Sequence, residues 1–180
     1  RRTREAAGDP PARYYAEKSE PRLAETISGL MDCRLIFVIR DPRDVLLSSK
    51  QFNQKRGDFK YGWQKDADIA PLIRWQIERI RGDVTRFDRL CESGVSGRLL
   101  RYEDMIVAPE AFAGDLSDWL GIDLDLDALA VEAREHGARH LTSKSPEAST
   151  ERWRREMTED ISRLYIDGAS DLLDRFGYGK

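Results

Sequence analysis

The segment RLIFVIRDPRDVLLSSKQF, residues 34–52, runs from a continuous apolar stretch straight into an arginine and then a helix start. RLIFVI has strand length and no polar alternation, the pattern of a parallel strand covered on both faces. Asp41 is placed to cap a helix, and Pro42 to fill its first turn, where a missing N–H does no harm. Arg40 stands between strand and helix. A hydrophobic core has no use for a guanidinium there, but a bound anion would.

Working outward, strand and helix patterns alternate. On the N-terminal side, residues 1–13 are polar with paired prolines and read as an irregular lead-in. RYYAEKSEP (13–21) reads as a short strand or extended segment ending in a turn. EPRLAETISGLM (20–31) reads as a helix with Leu23, Ile27 and Leu30 on one side. On the C-terminal side, NQKRGDFKYGWQKDAD (53–68) reads as a long surface loop. PLIRWQIERIRGDVTRFDRLCE (71–92) carries the strongest apolar stripe, weakened at Gly82. GRLLRYED (97–104) reads as a second buried strand. APEAFAGDLSDWLGI (108–122) reads as a helix packing through Phe112, Leu116, Trp119 and Leu120 and stopped by Gly121. DLDALAVEAREH (125–136) reads as a shorter helix, and residues 137–150 as a polar loop. The final segment, from residue 158, reads as a helix capped by Thr158, packed through residues such as Ile161, Tyr165 and Leu172, and ended by Gly177. This alternation predicts an α/β architecture with a parallel sheet in one domain spanning residues 1–180.

Composition narrows the function. The chain has 180 residues and a formal net charge of -3, without the basic excess of a general nucleic-acid binder. Any anion site must be a local arrangement. Two cysteines, Cys33 and Cys91, sit in apolar segments and read as buried reduced thiols of a cytoplasmic protein. No apolar run is long enough to predict a membrane span.

Ligands of open α/β sheets bind beyond the carboxyl ends of the strands. Arg40 occupies such an end, and the following helix aims backbone N–H groups and its positive dipole end into the same region. Ser48 follows Asp41 by two helical turns, so its hydroxyl can approach an anion gripped by Arg40. The competing reading pairs Arg40 with Asp41 or Asp44 and leaves the serines to pack.

FVIRDPRDVLLSS (37–49) resembles the 3′-phosphate-binding segment of the sulfotransferase family, with Arg40 and Ser48 at the two phosphate-holding positions. Three more segments agree in order: AEKSEP (16–21), LLRYEDM (99–105), and the stretch from HLTSKSPEASTERW (140–153) through LLDRFGY (172–178). The resemblance implies a P-loop-NTPase-like parallel sheet flanked by helices. It also implies 3′-phosphoadenosine 5′-phosphosulfate (PAPS) as sulfuryl donor, and a small-molecule, lipid or carbohydrate acceptor bearing a hydroxyl or amine. No metal, nucleic-acid partner or membrane span is expected. The glycine-bearing basic loop that cradles the donor's 5′-phosphosulfate in that family has no match here. The expectation is therefore the C-terminal part of a longer protein, its N-terminal strand–loop–helix missing.

Sulfuryl transfer by in-line displacement asks a protein to position reactants and stabilise charge on the leaving oxygens. Lys18 is the candidate for contacting the transferring sulfuryl group or the acceptor, as against a surface lysine paired with Glu17 or Glu20. Glu17 would face the other side of a strand, so the catalytic base is expected elsewhere. Lys144 and Arg152 are further phosphate candidates. His136 and His140 have a metal-compatible spacing, but Gly137 interrupts it and no third ligand is near. Trp75, Trp119 and Trp153 read as packing anchors, and Trp63 as a residue that could line an acceptor pocket. The rival function is a non-catalytic nucleotide-binding or interaction domain of the same ancestry. A nucleoside-phosphate kinase is disfavoured, because no Walker-type loop occurs.

Overall fold

A computed structural model describes residues 15–57, 68–127 and 142–179. In chain order its elements are α1 (Pro21–Leu30), β1 (Arg34–Ile39), α2 (Pro42–Arg56), α3 (Ile69–Glu92), β2 (Ser96–Arg101), α4 (Tyr102–Val107) and α5 (Pro109–Leu120). A 3-10 turn (Glu147–Ser149), α6 (Trp153–Glu156) and α7 (Glu159–Arg175) complete it. β1 and β2 pair in parallel, from Arg34 opposite Ser96 to Ile39 opposite Arg101. The result is a mixed α/β structure with a small parallel sheet and flanking helices.

Parallel neighbours require a crossover, and here α2 and α3 supply it. α3 runs through Gly82 without a break and lays Ile73, Ile77 and Val84 into the core. Gly97 lets β2 lie close to α3: a Cβ there would run into the Cys91 sulfur and the Phe87 ring. Phe87 also stacks on Phe37 of β1, with ring centroids 5.3 Å apart. α7 closes the core with Tyr165, Leu172 and Leu173, kinking at Ala169. The fully buried Tyr165 hydroxyl donates to Gln76 Oε1 at 2.7 Å, and Gln76 Nε2 donates to the Pro42 carbonyl at 2.9 Å. Through this chain of bonds α7 and α3 fix where α2 begins.

Several expectations need correction. Among the described residues β1 is covered on one face: Ile39 is buried and Phe37 half-buried, while Ile36 and Val38 lie exposed. A continuous apolar run does not by itself say what covers each side. The Leu23–Ile27–Leu30 stripe of α1 buries no residue completely. Residues 15–20 form no strand, which removes the alternation that set Glu17 opposite Lys18. β2 stops at Arg101, and Tyr102–Glu103–Asp104 opens α4 instead, with two carboxylates favouring its positive end. α2 continues to Arg56 before Gly57, at φ 64°, ends it, so the expected loop starts later. Trp75 is about half exposed rather than a packing anchor. Thr158 takes the N-cap position of α7 without a side-chain bond. Both cysteines are free and half-buried, not buried. Most of the helix expected at 125–136, together with Trp63, His136 and His140, lies outside the described residues. Among the described residues no helix is long and apolar enough to cross a membrane.

Candidate functional site

The carboxyl end of β1 and the start of α2 form a charged centre inside the fold. Asp41 caps α2 by accepting from the Arg43 amide at 2.9 Å. Arg43 folds back so that Nε and Nη2 both donate to the Asp41 carboxylate, at 2.9 and 2.8 Å. Its Nη2 also donates to the Tyr178 carbonyl at 2.5 Å, and its guanidinium lies 3.5 Å from the Trp153 ring centroid. From the β2 side, Glu103 accepts from the Asp41 amide at 3.0 Å and from the Tyr178 hydroxyl at 2.6 Å. Asp41 and Arg43 are both buried, so each neutralises the other where water is excluded. This pair is structural. It also occupies the Arg43 amide, so a bound anion must rely more on side chains than on the helix start.

The next layer is incompletely satisfied. Arg40 Nη2 donates to the Ser149 carbonyl at 2.6 Å, and its guanidinium packs 4.6 Å from the Tyr102 ring centroid. Arg40 Nε, however, is buried without a hydrogen-bond partner, and so are Asp44 Oδ2 and Ser48 Oγ. Asp44 and Ser48 lie one turn apart on α2, and Arg40 stands just ahead of its cap. Buried polar atoms are nearly always satisfied in native proteins, so a donor, an acceptor and a hydroxyl left open on this one unit make it the candidate site for a polar ligand. Asp44 itself is fully buried; its other oxygen accepts from the Trp153 amide at 2.9 Å. Burial pushes its carboxyl up to about 6, with Asp41 adding to the rise and the Trp153 amide and Arg40 opposing it.

The segment from Thr142 to Trp153 lies against α2 and closes this centre. Arg152 ties it down: Nη2 donates to Gln51 Oε1 at 3.0 Å, Nη1 to the Thr142 carbonyl at 3.2 Å, and Nε and Nη2 to Glu156. Tyr102 and Ser149 share a hydroxyl contact at 3.1 Å. Glu151 holds a left-handed φ of 51°, a strained conformation for a residue with a side chain.

Of the residues expected at the site, Arg40 and Ser48 sit on the β1–α2 unit with unsatisfied buried atoms, and Arg152 lies beside Asp44 with its donors largely engaged. Lys144 is exposed on the covering segment, and Lys18 is exposed ahead of α1. Asp44, which the sequence offers only as a competing partner for Arg40, borders the same candidate site. Tyr102 and Ser149 border it too, through their contacts with Arg40. Neither has a signal in the sequence, because their proximity depends on tertiary packing. Among the described residues no group of His, Cys, Asp or Glu is arranged to hold a metal.

Residues 8–126, which include β1, α2 and β2, match the model of the sulfotransferase family. Carbohydrate sulfotransferase 3 of Homo sapiens and that of Mus musculus are each 26% identical to the chain over 163 residues, covering 82% of this chain and 34% of theirs. The chain thus spans about a third of the length of these curated relatives. No solved structure gives a significant match.

Proposed function

This chain belongs to the sulfotransferase family, and from that premise we propose that its β1–α2 unit binds the 3′-phosphate of PAPS during transfer of a sulfuryl group to a hydroxyl or amine acceptor. The observation that carries the reading is the pair of orphaned donors, Arg40 Nε and Ser48 Oγ, buried at the end of β1 and two turns into α2. A phosphate oxygen between them would accept from both. Arg40 would supply a charge-assisted bond, and Tyr102 would hold its guanidinium plane. The same proposal takes the sheet as P-loop-NTPase-like, the chain as part of a single domain, and the location as cytoplasmic.

Within this reading the described residues bind and orient the donor. Lys18, exposed at the end of the segment leading into α1, is the group assigned to the sulfuryl oxygens; a compact ammonium there would stabilise charge on the leaving side. Lys144 would reach the nucleotide from the surface of the covering segment. Arg152 would act through that segment, since its own bonds are already made. The carbohydrate relatives favour a sugar hydroxyl as acceptor.

Steady-state kinetics of the full-length protein with PAPS test the assignment. Arg40→Ala should lower kcat/KM for the donor roughly a hundredfold, the loss of about 3 kcal/mol of charged hydrogen bonding. Unchanged donor kinetics in that variant would refute the site. The alternative reading is a non-catalytic nucleotide-binding domain of the same ancestry. It predicts nucleotide binding that depends on Arg40 with no turnover at all.

A further inference from the structure

The fully buried Asp44 follows Arg40 by four residues, feels its charge, and precedes Ser48 by one turn of α2, yet the roles given to Arg40 and Ser48 leave it without one. Its surroundings are mixed in charge. On the β1–α2 unit it meets Arg40 and Asp41; from the covering segment it meets Arg152 and the amides of Glu151 and Trp153. One carboxylate oxygen holds the Glu151–Trp153 turn, and the other has no partner.

We propose that Asp44 is a positioning residue that makes this site proton-sensitive. Its carboxylate pins the covering segment to α2, and its charge opposes an oxyanion beside Arg40. Taking up a proton therefore strengthens anion binding. This inference rests on the oxyanion site proposed above and deepens it. With Asp44 ionised, part of the Arg40 field is spent on a neighbouring carboxylate, and an incoming dianion meets a negative charge in a dry environment. With Asp44 protonated, that repulsion disappears and Oδ2 gains a hydrogen to donate. The carboxyl already titrates near 6, inside the range where such a change is felt. By linkage, a bound anion raises it further and draws in a proton.

Inorganic sulfate is the suitable probe, because its charge stays constant where a phosphate monoester would itself titrate. Binding to the full chain is measured by calorimetry at constant ionic strength, at about pH 5 and about pH 7.5, for wild type, Asp44→Asn and Arg40→Ala. Asparagine keeps an acceptor for the Trp153 amide and removes only the charge. Wild type should bind about tenfold tighter at the acid pH. Asp44→Asn should bind equally at both values, close to the tighter wild-type affinity. A flat wild-type profile, or an unaltered slope in Asp44→Asn, overturns the proposal while leaving the oxyanion site standing. An unaltered affinity in Arg40→Ala removes the site itself, and the proposal with it. Should Asp44→Asn not fold, wild type alone decides the matter near pH 6.5. Titrations in two buffers of different ionisation heat should then show net proton uptake, and none would overturn the claim.

Discussion

The start of α2 and the outer face of α1 and β1 invert the usual arrangement of charge and oil. At the first, Arg43 and Asp44 are 2% and 0% exposed. At the second, Leu30 and Val38 are 78% and 58% exposed. The difference separates two kinds of sequence signal. A charged cluster such as RDPRD is informative because burying it demands reciprocal bonds, and those bonds confine its geometry to few solutions. An apolar stripe reports only that something should cover it, not what.

Four substitutions probe that contrast. Arg43→Ala should have the largest effect. It strands the buried Asp41 carboxylate, breaks the tie to Tyr178 and removes the Trp153 stack, destabilising the fold by about 4 kcal/mol in a denaturant titration. A small effect would mean that water reaches the α2 start. Asp44→Asn should act in the opposite direction. Because the folded state raises this carboxyl above its usual 3.8 to about 6, the protonated form is the stabilising one. That contribution is complete below about pH 4 and lost as pH rises through 6. The asparagine variant should therefore be more stable than wild type at pH 7.5 by about 3 kcal/mol, the gap closing on acidification. A melting series across pH checks the sign. Tyr165→Phe removes the hydroxyl that holds Gln76 and should cost about 1 kcal/mol by thermal unfolding. Leu30→Ser, on the outer face, should change stability by less than about 0.5 kcal/mol. A larger loss would show that this face is covered in solution and would erase the contrast.

Much of this molecule is legible before folding. RLIFVI, the Asp41 cap, Pro42 and the long α3 stripe each express a local rule, and each appears in the structure as an element of the expected type. Arg40 and Ser48 are proposed from equally local signals: one ends β1 just before the Asp41 cap, and the other lies two turns into α2. What escapes depends on contacts distant in sequence. Tyr102 stacks on Arg40 because β2 ends level with β1, a register that no local pattern specifies. Spacing offers Asp44 as a partner for Arg40, yet its main bond is to the amide of Trp153. Arg152 draws attention for its charge, and its bonds to Gln51 and Glu156 turn that charge inward. Lys18 falls on an expected strand that does not form.

If Arg40 and Ser48 grip the same phosphoryl group, their contributions to binding must be coupled, and a double-mutant cycle examines this most directly. Calorimetric affinities for adenosine 3′,5′-bisphosphate are needed for wild type, Arg40→Ala, Ser48→Ala and the double variant of the full-length protein. A shared phosphate predicts that each single substitution weakens binding and that the two couple by about 1 kcal/mol or more. Strict additivity, or undiminished affinity in either single variant, would contradict it.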